Sequence, residues 1–434
     1  MTRDDCIGLD RNDPLAPLRD AFALPDGVIY LDGNSLGALP RHTAARLAEV
    51  ITREWGEGLV RSWNDPGWID LARRIADRIA PLVGAAAGEV SVGDSTSVNL
   101  FKVLHAAVAL QKIDGPGRTV ILSEQGNFPT DLYIADSVAA SAGMTLQLAR
   151  AQNIVDGLGD AVAVLMLTHV NYRTGRMHEL ADTTRAAHEA GALVVWDLAH
   201  SAGAVPVDLI AADADFAVGC GYKYLNGGPG APAFLWAHPR HTARMDAAGT
   251  RQPLSGWLGH AAPFEFAAAY RPAAGIDRFV CGTPPVLSLA ALACGLDVFE
   301  RAGPAGGMAA LRAKSSALTR LFIERVEARC AGFGLELVTP RDAADRGSQV
   351  SFAHVDAWRV MQALIERGVI GDFRAGEPAT GGHEAGLDAP LLRFGFTPLY
   401  TRFVDAWDAA EYLREVLASK VFRSERFEPL SAVT

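Results

Sequence analysis

The apolar positions of this chain fall into two rhythms. In "IDLARRIADRIAPLVG", Leu71, Ile75, Ile79 and Leu82 share one face with arginines opposite, which predicts an amphipathic helix ended by Gly84. After it, short runs apolar on both faces alternate with stretches of helical period. "STSVNLFKVLHAAVAL" reads as a helix with a Ser/Thr cap, "RTVILS" as a strand, and "DLYIADSVAASAG" as the helix that follows. "DAVAVLMLTHV", "ALVVWDLAH" and "DFAVGCGYK" read as further strands, with the helix "LADTTRAAHEAG" between the first two. Strands of this kind alternating with helices predict a mostly parallel sheet covered on both faces.

Near residues 301–307 ("RAGPAGG") the composition turns loop-like, and beyond it the order changes. A helix is expected over 311–329, then strands "LELVTP" and "QVSFAHV", a helix "AWRVMQALIERG", strands "VIGDFR" and "LLRFGFTPLY", and a last helix near 405–419. Paired strands between helices predict a smaller α+β domain. The expected division is an N-terminal segment (1–60) packing with the small domain, a large domain (61–300) and a small C-terminal domain (301–434).

Composition narrows the function class. The 434 residues are 49% hydrophobic and 21% charged, which is ordinary for a soluble globular protein. A net charge of −10 without a clustered Lys/Arg stripe argues against a nucleic-acid surface. The start "MTRDDCIGLDRNDP" has no apolar signal core, and no apolar run approaches the roughly 20 residues of a membrane helix. Cys6, Cys220, Cys281, Cys294 and Cys330 show no CxxC spacing, so neither a disulfide frame nor a metal site is expected, and a reduced, cytoplasmic setting is.

In doubly wound sheets ligands bind beyond the carboxyl ends of the strands. Here those ends carry Asp197 after "ALVVW", Thr168 and His169 after "AVAVLML", "EQGNFPTD" after "RTVILS", and Tyr222 and Lys223 after "FAVGC". A lysine in such a place is either a snorkelling surface residue or an amine used to form a Schiff base. A carboxylate ending a fully apolar strand needs a partner, which is a backbone amide, an arginine or the cationic ring nitrogen of a cofactor. The last option, with the lysine, describes pyridoxal phosphate: the carboxylate keeps the pyridine nitrogen protonated and the ring becomes an electron sink. His200, three residues on, either orients Asp197 or is a satisfied core histidine. "GDSTSVNLF" offers hydroxyls at Thr96 and Ser97 with free N–H groups at a helix start, which suits an anion as well as a plain cap. Tyr222 and Trp257 are further phosphate donors or packed aromatics, and Phe128 either stacks on a flat ring or simply packs.

With those residues placed, the chain resembles the kynureninases among the fold-type I pyridoxal-phosphate enzymes of the class V aminotransferase-like group. The resemblance runs from about Tyr30 to Leu417. It rests on "YLDGNSLGALP", "STSVNLFK", "NFPTD", "LTHVNYRTGRMH", "VVWDLAHSAGAVPVDL", "FAVGCGYKYLNGGPGAPAFLW", "GWLGH", "CGTPPVLSL", "GVIGDFR" and "LRFGFTPLY". It implies pyridoxal 5′-phosphate as cofactor, and cleavage of L-kynurenine or its 3-hydroxy form to the matching anthranilate and L-alanine, a step of tryptophan catabolism. It implies Lys223 as the Schiff-base residue, Asp197 on the pyridine nitrogen with His200 nearby, and Tyr222 as a proton donor. Thr96, Ser97, Tyr222, Trp257 and Thr283 would surround the phosphate, the last two from the partner of a homodimer with shared sites. Phe128 would stack on the ring, with Asp131 and Thr168 beside it. Arg393 would clamp the substrate α-carboxylate with Ser35 in the same pocket, and Trp63 would meet its aromatic end. A cysteine desulfurase of the same fold would need a reactive cysteine on a polar loop, and no cysteine here has that context; a class V aminotransferase fits "GNSLG" and "LRFGFTPLY" less well.

Overall fold

The structure, a computed structural model, describes residues 1–376 and 388–428. Its core is a seven-stranded sheet made of β2 (Val90–Val92), β3 (Val120–Glu124), β4 (Thr145–Ala149), β5 (Val162–Thr168), β6 (Leu193–Asp197), β7 (Phe216–Gly219) and β8 (Phe234–Ala237), the short β1 (Ile29–Tyr30) lying elsewhere. Its order is β2-β8-β7-β6-β5-β3-β4, and only β8 runs against the rest. The expected parallel sheet is thus present with one reversed strand inserted near an edge. β4 is the opposite edge and is largely exposed, which is why no fully apolar run marks it.

Helices α3 (Leu71–Ile79), α4 (Thr96–Asp114), α5 (Pro129–Ala142), α6 (Leu180–Glu189), α7 (Pro239–Ala248) and α8 (Val286–Ala302) belong to this part of the chain, after α1 (Arg3–Arg11) and α2 (Thr43–Glu49). α3 passes into a 3₁₀ turn over Ala80–Val83 and stops at Gly84, as the pattern predicts. Gly84 holds φ at +66°, and a Cβ there would press on Asp208, so both conformation and space ask for glycine.

The C-terminal part holds α9 (Gly307–Arg329), α10 (Ala357–Glu366) and α11 (Phe403–Ser419) against a four-stranded antiparallel sheet. Its order is β12-β13-β10-β9, formed by β12 (Asp372–Arg374), β13 (Leu391–Gly395), β10 (Gln349–Ala353) and β9 (Glu336–Leu337). The stretch "VIGDFR" is not one strand: Gly371 splits it into β11 (Val369–Ile370), which pairs with β1, and β12, which pairs with β13. Cys6 and Leu31 share the hydrophobic core of this part with Phe322, Phe352 and Phe394.

At the amino end of the sheet lies a carboxylate remote from the candidate site. Asp215 is fully buried and accepts from Val194 N at 2.7 Å and Arg240 Nη2 at 2.6 Å, and it meets His188 Nε2 at 2.8 Å and His241 Nε2 at 2.6 Å. Burial opposes its ionisation, but the hydrogen bonds of the two histidines outweigh burial and hold the carboxyl well below its usual value. Asp215→Ala is expected to cost about 3–5 kcal/mol, because four cationic or polar groups lose their buried partner. Since folding lowers this group's pKa, its contribution is present above the unfolded-state value near about 4 and fades as pH falls below it. Thermal unfolding from pH 3 to 8 checks both points: the variant should melt lower at neutral pH and lose less on acidification.

Candidate active site

Strand register builds the floor of the site. Thr168 on β5 lies opposite Asp197 on β6, and Asp197 lies opposite Val218 on β7. The chain leaves β7 through Cys220 and Gly221 and then presents Tyr222 and Lys223, so segments far apart in sequence meet at one sheet edge. Gly37 of "GNSLG" donates its N–H to Tyr222 O at 2.8 Å, and a Cβ there would strike Lys223 O; the N-terminal loop therefore lies directly on the lysine turn.

Two buried carboxylates meet at this edge. Asp197 accepts from Ala199 N at 2.8 Å, and Asp131, from the first turn of α5, hydrogen-bonds to it. Thr168 Oγ1 donates towards Asp131 Oδ2 at 3.4 Å and also to Asn127 Oδ1. Two carboxylates this close in a dry site cannot both ionise. Burial and then the charge of Asp197 push Asp131 well above the usual carboxyl range, so it is the proton carrier. Burial also raises Asp197, but the Lys223 charge and the Ala199 amide favour its ionised form. The pair holds about one negative charge, and the nearest cation of the chain is an amine.

That amine is placed by a chain of three side chains. Gln349 Nε2 donates to Asn171 O at 3.1 Å and Tyr172 O at 2.9 Å, which turns its Oε1 towards His200 Nδ1, 3.0 Å away. His200 must then carry its proton on Nδ1, and Nε2 is left as acceptor for Lys223 Nζ at 3.0 Å. Burial, with the Lys223 charge second, drives the His200 pKa well down and keeps the ring neutral. Of the two readings of His200, a residue that orients Asp197 or a satisfied core histidine, its ring bonds go to Gln349 and Lys223 and not to Asp197.

Phe128 caps α5, is 41% exposed, and lies with its ring centroid 6.0 Å from Lys223 Nζ and edge-on to Tyr172. Its loop is pinned by Asn127 Oδ1, which accepts from Phe128 N at 2.7 Å, and by Asn171 Nδ2, which donates to Gly126 O at 2.9 Å. At the head of α4 the cap is Ser95, whose Oγ accepts from Val98 N at 3.3 Å. Thr96 and Ser97 are the first two helical residues, whose N–H groups have no carbonyl a turn earlier to bond. Tyr222 places its ring 5.7 Å from Lys223 Nζ, and burial pushes its phenol up, so it stays protonated.

On the side of the C-terminal sheet, Arg393 is buried and heavily engaged. Nε donates to Asp372 Oδ1 at 2.7 Å, Nη2 to Ser35 Oγ at 2.7 Å and to Asp372 Oδ2, and Nη1 to Tyr172 O at 2.5 Å. Its Nε/Nη2 fork, expected to be free for a carboxylate, is taken by Asp372. Ser35 donates to that same carboxylate at 2.7 Å.

Three residues lie apart from this cluster within one chain. Trp63 packs edge-on against Trp68 at 6.1 Å, and Trp55, Trp63, Trp68 and Thr283 line an apolar cavity of about 430 Å³. Trp257 is exposed, with its ring 5.9 Å from Phe264. Among the described residues, none of the three has a hydrogen bond or ring contact with Lys223 or its neighbours.

Sequence reading overlooked Asn127, Gln349, Asp372 and Arg374. Asp372 and Arg374 stand in "GDFR", where i, i+2 spacing already places both on one strand face; Gln349 opens β10 of the four-stranded sheet and carried no local signal. No thiol competes for the chemistry. Cys220 lies next to the cluster, but it is buried with its thiol directed to Ala199 O at 3.6 Å, and burial pushes its pKa up. No helix among the described residues is long and apolar enough to cross a membrane.

Comparison with known proteins follows the same lines. The family model described as a kynureninase C-terminal domain matches residues 311–413. A protein named kynureninase from Burkholderia pseudomallei (strain 1106a) is 55% identical over 100% of both chains. Another of that name from Pseudomonas fluorescens is 53% identical, again over 100% of both. Among solved structures, the cysteine desulfurase of Thermococcus onnurineus NA1 aligns with a TM-score of 0.75 at 19% identity, covering 93% of this chain and 98% of that one. The Escherichia coli cysteine desulfurase CsdA aligns at 0.71 and 21%, with the same coverage. At such identities these two show the fold, the α/β fold-type I arrangement.

Proposed function

This chain belongs to the kynureninase family, and from that premise we propose that its Lys223 cleft hydrolyses L-kynurenine to anthranilate and L-alanine with pyridoxal 5′-phosphate as cofactor. One observation carries the assignment of the cleft: a buried carboxylate pair bearing one charge sits at the sheet edge beside a lysine held by a neutral histidine. The residues present fit the cofactor. Asp197 and Asp131 suit a protonated ring nitrogen, Lys223 an aldehyde, the face of Phe128 a flat ring, and the start of α4 a phosphate.

When bound, pyridoxal phosphate supplies an aldehyde for an amine and a ring that takes up the electron pair released at the substrate α-carbon. The chain supplies the rest. Asp197, ionised, would lie beside the ring nitrogen and keep it charged, with Asp131 protonated and donating a hydrogen bond to Asp197. His200 accepts from Lys223, which leaves the nitrogen lone pair of the amine free once Lys223 is neutral, so that it can take the α-proton. Tyr222 holds a proton on its phenol and gives it to the alanine side of the broken bond. Overall one water is consumed: its oxygen ends in the anthranilate carboxyl group and a proton in the alanine methyl group.

We also read the active unit as a homodimer in which Trp63, Trp257 and Thr283 complete the partner's site. Among the described residues they make no hydrogen bond or ring contact with Lys223, and Trp63 and Thr283 share one cavity; both observations support this reading. It is tested by mixing Lys223→Ala with Trp63→Ala chains after joint refolding. A mixed dimer has one site with both residues intact, so activity should exceed the mean of the two homodimers. Activity at that mean would place Trp63 in its own chain's site.

The function is tested by loading the purified protein with pyridoxal phosphate, adding L-kynurenine, and following anthranilate fluorescence with alanine assayed alongside. Equal amounts of both products are expected. A yellow protein that leaves L-kynurenine intact would keep the cofactor and overturn the substrate.

A further inference from the structure

Helix α8 packs against α2, and their contact gathers three side chains that the chemistry at Lys223 does not use. Cys294 and Asp297 stand at i, i+3 on α8, so they share one face of that helix. His42, at the start of α2, reaches the same place from the other helix, and its Nε2 lies 2.8 Å from Asp297 Oδ2. The ring nitrogen, the thiol sulfur and the carboxylate oxygen all lie within 4.8 Å of one another.

The donor set selects the kind of ion. A thiolate and an imidazole favour zinc over magnesium or calcium. A carboxylate completes three protein ligands and leaves the fourth tetrahedral position to water. Cys294 is 2% exposed, so its sulfur is shielded from solvent, whereas the side chains of His42 and Asp297 are 45% and 43% exposed and leave a path for the ion to enter.

The surroundings suit these roles. Thr43, the residue after His42, is buried and lies against the Cys294 thiol, and its Oγ1 has no other hydrogen-bond partner. A hydroxyl donates more strongly to a thiolate than to a thiol, so Thr43 is placed to support a metal-bound sulfur. Arg78 Nη2 donates to Asp297 Oδ1 at 2.6 Å and its Nε to Glu300 Oε1 at 2.6 Å, which fixes the carboxylate and leaves Oδ2 towards His42. Arg46, the other cation near Cys294, is held by Glu49 and Glu54. Four carboxylates (Asp297, Glu300, Glu49 and Glu54) thus accompany two guanidiniums, a surplus of negative charge that favours a cation.

We propose that His42, Cys294 and Asp297 form a zinc site that ties the start of α2 to α8. On binding, the Cys294 thiol releases its proton to solvent and its sulfur takes the ion. His42 carries its proton on Nδ1 and gives the ion its Nε2 lone pair, Asp297 gives Oδ2, and a water fills the fourth position. The ion joins two segments that already touch the lysine turn. Gly37, upstream of His42, donates its N–H to Tyr222 O, and a Cβ at Gly295, next to Cys294, would strike Leu225 O. The site therefore braces that turn from outside and takes no part in its chemistry. No local motif marks it, since His42 precedes Asp297 by 255 residues.

The test uses the cofactor-loaded protein, freed of metal with a chelator, as wild type, Cys294→Ser and His42→Ala. Zinc binding is measured by competition with a chromophoric chelator, and cobalt(II) is added in parallel as a spectroscopic stand-in. Wild type should take up one zinc per chain and, with cobalt, show a thiolate-to-metal charge-transfer band and the strong visible bands of a tetrahedral site. Each variant should bind zinc roughly 100-fold more weakly, since even the partners behind metal ligands are worth about 10- to 100-fold. Cys294→Ser should also lose the charge-transfer band. Zinc should raise the melting temperature of the wild type and leave that of both variants unchanged. The His42 side chain is largely exposed, so His42→Ala keeps the test open if Cys294→Ser fails to fold. Wild type that takes up no zinc, equal uptake by wild type and His42→Ala, or a cobalt spectrum without the thiolate band would each overturn the inference.

Discussion

Lys223→Ala is expected to fold, to bind cofactor weakly, and to release no measurable anthranilate. The physical reason lies in how little structure the amine supports and how much chemistry it carries. Nζ bonds one neutral histidine nitrogen and sits near two aromatic rings; its removal also takes a positive charge from the buried Asp131–Asp197 pair, which can take up a proton in response. Yet the same amine is the group that joins the cofactor covalently, and it is the base aimed at the α-proton. Loss of a positioned base alone costs about 10² to 10⁴ in rate, and loss of the covalent attachment adds to that. Stopped-time fluorescence sets the limit on residual turnover, and borohydride reduction with peptide mass analysis checks the attachment. Wild type should carry the reduced label on the peptide containing Lys223, and the variant should carry none. Turnover within tenfold of wild type would remove Lys223 from both roles.

Asp197→Asn should retain cofactor and lose about a thousandfold in kcat. A unit charge about 4 Å from a ring nitrogen is worth roughly 4 kcal/mol at the effective dielectric of protein sites, and each 1.36 kcal/mol is a factor of ten in rate. The amide keeps the size and a hydrogen bond but cannot hold the nitrogen charged. Asp131→Asn is the informative contrast. Burial and the neighbouring charge already keep the Asp131 carboxyl protonated and donating, and an amide N–H₂ donates too, so this variant should lose about tenfold or less. Equal losses at both positions would mean that the charge is shared between them. The absorption band of the bound cofactor gives an independent reading, since only the Asp197 change should shift it across neutral pH.

Part of this was open to reading along the chain. "AVAVLML", "ALVVW" and "FAVG" are apolar throughout, so their length marks where each strand stops, and parallel strands stop at one edge. Thr168, Asp197 and Lys223 could be brought together on that ground alone. β2 and β4 escaped notice because one is three residues long and the other is an exposed edge, and the reversed run of β8 depends on a pairing that its own residues do not encode.

What only the tertiary structure decided concerns partners. That Asp131 hydrogen-bonds to Asp197 depends on where the first turn of α5 comes to lie at the end of β6. That His200 turns to Lys223 depends on Gln349, which comes from a strand of the four-stranded sheet, 149 residues further on. That Arg393 is already engaged by Asp372 follows from the register of β12 on β13. A sequence determines which side chains stand at the end of an element, because local periodicity sets the element. It does not say which of them touch, because a hydrogen bond needs atoms within about 3 Å, and that distance is fixed only when separate elements pack.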